Sequence, residues 1–502
     1  MSETTTPPAD PPVPRQRRSG LLLHPTSLPG DLAAGDLGHH AYRFIEFLAA
    51  SGMGIWQMLP LGPTHADGSP YQCLSVHAGN PALISIDWLV DRQWLRAPDC
   101  PADVTARESF RLECLRLARA GFEAGARPED RQAWTDFQHA QAHWLDDYAL
   151  YLALRREQGG QPWWQWPAGQ RDREPAALKA ARMRLAEEIS QARFEQFVFF
   201  RQWHELRDYA HRHGVHLFGD MPIFVAHDSA EVWSRRQYFA LDAEGRPETV
   251  AGVPPDYFSA TGQYWGNPQY RWEQLQADGF AWWVDRLRTQ LDLFDLIRVD
   301  HFRGFEAFWE IPASAGTAVE GRWVRAPGRA LLQALHKAFH RLPLVAEDLG
   351  TITPEVEQLR REFGLPGMKI LQFAFDGNPG NPYLPHNHEP DSVVYTGTHD
   401  NDTTLAWYES LADAERQRLD EYLGYDAGPV MPWPLVRCAL ASVAEMAVLP
   451  MQDVLGLGAG HRMNLPGTTG NNWHWRFQWA QVPPDLAGRL RQLNHIYGRC
   501  DN

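Results

Sequence analysis

Disulfide frameworks, cysteine-rich metal motifs and membrane-length apolar runs are all missing from this sequence. Its five cysteines, Cys73, Cys100, Cys114, Cys438 and Cys500, are odd in number and scattered, which excludes a disulfide-stapled scaffold. No CxxC or other metal-ligand spacing occurs, so a reducing, cytoplasmic setting is expected. No segment reaches the roughly 20 consecutive apolar residues that span a bilayer. The opening stretch MSETTTPPADPPVPRQRR, residues 1–18, has no apolar signal-peptide segment and reads as a disordered tail. Surplus positive charge is missing too. With 47 Lys and Arg against 62 Asp and Glu, the net charge is −15. That argues against nucleic acid, whose binding rests on clustered cations, and leaves a neutral partner such as sugar open. Neither internal repeats nor low-complexity segments appear beyond the tail.

Aromatic rings are plentiful: 21 Trp, 15 Tyr and 23 Phe. Several Trp fall in Gly/Pro-rich stretches where core packing is less expected, such as Trp163, Trp164 and Trp166 in QPWWQWP and Trp265 in TGQYWGNP. Flat rings with a polar tip suit the C–H face of a sugar. Packing between helices and a sheet is the competing role for the rest.

Eight short apolar runs punctuate the chain: Leu21–His24, Ile55–Pro60, His216–Pro222, Leu293–Asp300, Leu342–Glu347, Met368–Phe375, Val393–His399 and Ala447–Asp453. Most are continuous rather than alternating, as parallel strands buried on both faces require. Helix-sized segments lie between several of them. Residues 329–340 carry the stripe Leu331, Leu332, Leu335 and Phe339, spaced for one buried face. Thr353-Pro354-Glu355 can cap and open a helix, and Gly364 can stop it. His39 and His40 are expected to begin the first helix. Eight strand–helix units imply an α/β fold closed as a (β/α)8 TIM barrel over residues 19–502. Two gaps exceed a simple crossover: residues 86–200 read as a mainly helical insertion, with helices at 109–120 and 141–156, and residues 224–290 as a loop-rich, substrate-covering insertion. Both are expected on the catalytic face.

In such a barrel the catalytic groups sit at the C-terminal ends of strands. Those ends carry Asp220, Asp300, Glu347-Asp348 and Asp400. Acidic groups converging on one pocket repel each other, which structure alone avoids, so Asp300, Glu347 and Asp400 are read as catalytic. Retaining glycoside cleavage uses a carboxylate nucleophile and a carboxylic acid roughly 5–5.5 Å apart. Arg298, on the same strand face as Asp300, is expected to keep Asp300 ionised. Negative Asp300 in turn raises the pKa of Glu347, so that Glu347 keeps its proton.

The segments FDLIRVDHFRGFEAFWEIP, VAEDLG and YTGTHDNDTT resemble the α-amylase clan. LLLHPTSLPG, GDMPIFVAHDSAEVW, AGVPPDYFSATGQYWGNPQY and RMNLPGTTGNNWHWR resemble the amylomaltases, the 4-α-glucanotransferases also called disproportionating enzymes. The likeness runs from about Gly20 to Trp475. It implies a transferase moving α-1,4-glucan segments between glucans and maltooligosaccharides, with Asp300 as nucleophile, Glu347 as acid/base and Asp400 as the stabiliser that distorts the ring. It further implies substrate contacts from Ser69 and Tyr71 in GSPYQ, from Arg298 and His399, and from Asp376 on the donor side. Asp256, Gln263 and Trp265 match the loop that folds over the substrate, and Asn464 and Pro466 a stretch near the site.

His386 and His388 lack a third ligand, no Asp-rich calcium loop is present, and neither metal nor cofactor is expected. His301 is expected to point away from Asp300 as a support. An amylase-type hydrolase uses the same carboxylates and is the alternative; a non-catalytic glucan-binding protein would not need a repelling cluster.

Overall fold

Each of the eight apolar runs overlaps one strand of a single parallel sheet. A computed structural model describes residues 17–32, 34–98, 100–101, 106–255, 259–468 and 470–500. The strands are β1 (Arg18–Leu22), β2 (Ile55–Gln57), β3 (His216–Pro222), β4 (Leu296–Asp300), β5 (Leu344–Ala346), β6 (Gly367–Ile370), β7 (Ser392–Tyr395) and β8 (Met446–Pro450). They lie side by side in chain order, with β8 paired to β1. The remaining seam, β5 to β6, is bridged by Ala346 N–H donating to the Pro366 carbonyl at 2.8 Å. The result is a (β/α)8 TIM barrel.

Strand periodicity divides the apolar residues into two cores. Phe218, Val345, Met368, Ile370, Val393, Tyr395 and Val448 fill the barrel interior. Their neighbours Leu217, Ile297, Val299, Val394, Ala447 and Leu449 face outward against the helices. On β4 this alternation sends Arg298 and Asp300 inward, and register sets Asp220 of β3 beside Arg298. Gly219 is required just before Asp220: a Cβ there would lie 2.2 Å from the Phe294 ring.

The apolar runs overshoot the strands at their C-terminal ends. Met58 and Leu59 are buried although β2 stops at Gln57, and Leu371–Phe373 is a tight turn rather than strand. Burial continues into the rim turns after the hydrogen-bond ladder ends, so hydrophobicity alone does not mark the boundary. Other expectations shift as well. Arg18 starts β1 and Arg17 donates to the Tyr497 carbonyl, so these two belong to the barrel; residues 1–16 lie outside the described residues. Thr353 precedes the helix Pro354–Glu362 without a side-chain cap bond. Trp163 and Trp166 are buried, and Trp164 stacks on His227 at 3.8 Å, so QPWWQWP packs rather than presenting a sugar platform.

Between β2 and β3 the helices Ala106–Gly125, Pro128–Ala140, Ala142–Glu157, Pro175–Arg184 and Ala186–Arg212 dominate; the last runs past residue 200 to reach β3. After β3 an antiparallel sheet forms, in the order Gln263–Pro268, Thr249–Val253, Ala307–Pro312, Arg322–Arg325. Two of its strands follow β4, so this covering sheet is built from two separate loops rather than from 224–290 alone. Among the described residues no helix is long and apolar enough to cross a membrane.

Candidate active site

Two inward rows meet at the C-terminal mouth of the barrel. Arg298 donates from one guanidinium nitrogen to Asp220 Oδ2 at 2.6 Å and from the other to Asp300 Oδ1 at 2.8 Å. The Tyr71 hydroxyl donates to the same Asp220 oxygen at 2.7 Å. Arg298 and Asp220 are both buried, so the pair is held in a fixed geometry that long exposed ion pairs lack. Ser69 does not touch the carboxylates; its hydroxyl oxygen accepts from Tyr71 N–H at 3.3 Å and so sets the tyrosine.

Glu347 follows the last residue of β5. Its Oε2 accepts from the backbone N–H of His301 at 2.7 Å. His301 has left-handed backbone, φ 54°, where the chain leaves β4. Such a conformation is uncommon for a non-glycine residue and persists where the surroundings over-determine it. The His301 ring packs edge-on against Trp265 at 4.9 Å, and Trp265 Nε1–H donates to Gln263 Oε1 at 3.0 Å. Gln263 and Trp265 thus form one unit above the end of β4. Asp256 lies outside the described residues.

Asp400 sits in the loop after β7. Asn464 Nδ2–H donates to its Oδ1 at 2.6 Å, His399 Nε2 approaches the same oxygen at 3.4 Å, and Arg462 donates to its carbonyl at 2.8 Å. The loop is tied to the barrel by buried Asp453, whose Oδ1 accepts from Thr404 N–H at 2.7 Å. The His399 ring lies nearly parallel to Tyr71, 13° between planes at 5.2 Å, and Trp473 flanks both. Trp473 has φ 69°, a second bulky residue held left-handed at the mouth.

Burial raises the pKa of Asp300 to about 6; Arg298 opposes the rise, while Asp220 and Asp400 add to it. Burial raises Glu347 further, to about 8, again opposed by Arg298 and reinforced by Asp300. The expected repulsion is therefore real but second to desolvation, and Arg298 moderates the Asp300 rise without cancelling it, because its charge is shared with Asp220. Burial likewise lowers the pKa of His399, keeping it neutral.

The structure brings together Asp300, Glu347, Asp400, Arg298, Tyr71, His399 and Asn464, with Gln263 and Trp265 above. Asp376 is exposed, its carboxylate accepting from Asn378 N–H at 2.8 Å, and Pro466 is exposed in the loop that carries Asn464. Asp220, Arg462, Trp473 and the His301 amide join the site without having been singled out as contacts. Asp220 had a signal, an acidic residue within an apolar strand; a left-handed His or Trp has none. His386 bonds Tyr422 and His388 bonds Ser442. Among the described residues the catalytic carboxylates do not form a group of three with metal-ligand spacing, and Arg298 already supplies positive charge between them.

Residues 23–481 match the family model described as 4-alpha-glucanotransferase. A 4-alpha-glucanotransferase of Thermus thermophilus is 51% identical over 95% of this chain and 98% of its own length. One from Synechocystis sp. is 48% identical over 96% of this chain and 98% of its own. Among solved structures, an amylomaltase from Streptococcus agalactiae in complex with acarbose superposes with a TM-score of 0.92 at 35% identity, covering 97% of this chain and 100% of that one.

Proposed function

Because this chain belongs to the 4-alpha-glucanotransferase family, we propose that it transfers α-1,4-glucan segments with retention, through a covalent glucosyl-enzyme on Asp300. The observation that carries the mechanism is the contrast between two neighbouring half-buried carboxylates. Asp300 is paired with a guanidinium, whereas Glu347 has a single amide donor and the higher pKa. At neutral pH one is ionised and the other protonated, which is the division of labour that retention needs.

Arg298 occupies Asp300 Oδ1, leaving Oδ2 free to attack the anomeric carbon of a bound glucan. The C1–O bond breaks as Glu347 gives its proton to the leaving glucan oxygen. The His301 amide on Oε2 fixes the Glu347 carboxyl plane during that transfer. The departing reducing-end fragment leaves, and the 4-hydroxyl of an acceptor takes its place. Its proton passes to Glu347 as its oxygen attacks C1, and the ester to Asp300 breaks. Asp400, oriented by Asn464 and His399, accepts hydrogen bonds from sugar hydroxyls and favours a distorted ring. Tyr71 offers a stacking face beside it.

Substrates are maltooligosaccharides and longer α-1,4-glucans, including starch. This fits the acarbose bound to the Streptococcus agalactiae relative. Cys73, Cys100, Cys114 and Cys438 are free thiols, which suits a cytoplasmic enzyme. Incubation with maltotriose tests transfer directly: glucose plus chains longer than maltotriose are expected. Shorter sugars alone would install the hydrolase reading instead. Proton NMR of the first-formed products tests retention, and an initial β anomer would remove Asp300 as nucleophile.

A further inference from the structure

We propose that His211, His216 and Asp295 form a transition-metal site, with zinc as the fitting ion, at the barrel end opposite the catalytic rim. The three belong to different pieces of the scaffold. His211 lies in the last turn of the helix Ala186–Arg212, His216 opens β3, and Asp295 immediately precedes β4. Both strands begin here, so the cluster is at the foot of the barrel.

The donor set is two imidazoles and one carboxylate, which suits zinc with water completing a tetrahedron. Their ligand atoms all lie within 4.8 Å of one another, the one such group of His, Cys, Asp and Glu among the described residues. His211 Nε2 is 2.9 Å from Asp295 Oδ2, and His216 Nδ1 is 3.9 Å from the same oxygen. Zinc bonds of about 2.0–2.2 Å place tetrahedral neighbours about 3.3 Å apart. The first distance must open by a few tenths of an ångström and the second close by about half an ångström, within side-chain rotation.

The surroundings suit ligation as well. Asp295 is oriented from behind: Arg207 donates to Oδ1 at 2.7 Å and Leu217 N–H to Oδ2 at 2.8 Å. Outer hydrogen bonds of this kind fix a ligating carboxylate. The cluster lies at the start of β3 and β4, the end opposite Asp300, so the ion bears on stability at the foot of the barrel and takes no part in transfer.

The test is zinc titration of the chelator-stripped, full-length protein at pH 7.5 by calorimetry, with unfolding temperature measured in parallel. One zinc per chain is expected, together with a rise in unfolding temperature and unchanged glucosyl transfer from maltotriose. His211→Gln and His216→Gln, both at partly exposed side chains, should each lose that zinc and the thermal gain while keeping transfer. Absence of stoichiometric binding overturns the site. So does binding that survives in both variants, or zinc that inhibits transfer equally in wild type and variants, since the ion then sits elsewhere.

Discussion

Asp295 and Asp300 stand at opposite ends of one strand, five residues apart, and each is bonded to an arginine. Arg207 lies 2.7 Å from the first and Arg298 2.8 Å from the second. Yet the pKa of Asp295 is lowered and that of Asp300 is raised. At the foot, one carboxylate receives an arginine, a histidine and a backbone amide. At the head, one arginine is divided between buried Asp220 and half-buried Asp300, with a third carboxylate nearby. A salt bridge therefore does not fix a carboxylate's protonation state; the count of donors against acids, and the water left around them, does. Stability is spent at the head where chemistry needs it.

The widest separation between the two ends should appear in turnover. Asp300→Asn should lose transfer from maltotriose and cleavage of α-glucosyl fluoride alike. Glu347→Gln should lose maltotriose turnover by about 10²–10⁴ and largely keep the first step on the fluoride, whose leaving group needs no proton. Equal loss of fluoride cleavage in both would show that the two roles are wrongly divided.

Trp265 and its partner His301 cover the head, and removing that cover should let water reach Asp300 more readily. Trp265→Ala forfeits about 1–3 kcal/mol of stacking and burial for the incoming sugar. That is about a 5- to 150-fold loss of acceptor capture, while water gains access. Total turnover should fall and the hydrolysed share rise, read as new reducing ends against glucose released. An unchanged ratio in a folded variant would confine Trp265 to holding Gln263 and His301 in place.

Stability should move in opposite directions at the two ends. The folded pKa of Asp300 lies above its ordinary value, so folding is penalised as pH rises through that interval. Asp300→Asn should therefore unfold at a higher temperature than wild type at pH 7.5, with little difference at pH 4. Asp295 has a lowered pKa, so its contribution is present above the ordinary carboxylate range and lost on acidification. Asp295→Asn, which leaves Arg207 poorly paired, should cost about 1–3 kcal/mol at pH 7.5. Calorimetry on both variants decides it; changes of the same sign would erase the contrast.

The smallest effect concerns the pH profile. Transfer should rise as Asp300 ionises near pH 6 and fall as Glu347 loses its proton near pH 8, a bell of kcat/KM. With residue 300 neutral, direct titration of Glu347 should move to lower pH, though only in part, because burial remains its larger cause. A titration that stays put would uncouple the pair.

Much of this was legible in the chain. Continuous apolar runs ending in acid revealed both the barrel and its catalytic rim, because strands buried on two faces cannot hide their hydrophobicity. Arg298 beside Asp300 followed from a period of two. What escaped depends on backbone shape and on distant partners. His301 and Trp473 take left-handed backbone that nothing in their residue types announces. Trp163 and Trp166 sit among Gly and Pro yet are buried, because the segment after β3 packs on them: Trp163 Nε1–H donates to the His227 carbonyl, and Trp233 meets Trp166 edge-on. Arg462 reaches Asp400 from 62 residues away, a distance along the chain that no local pattern encodes.

The covering sheet has a consequence for anyone who would re-engineer acceptor choice. Its strand Gln263–Pro268, bearing Trp265, pairs with Thr249–Val253, which pairs in turn with Ala307–Pro312. The last of these begins seven residues beyond Asp300. The segment after β3 is therefore not a detachable cassette. Exchanging it alone would strand Ala307–Pro312 and Arg322–Arg325 as a bare two-stranded ribbon with an open edge, marginal by itself and ready to pair with another molecule. A chimaera that keeps its solubility must swap both loops together, cut so that the nucleophile strand lies between the two grafts and belongs to the host.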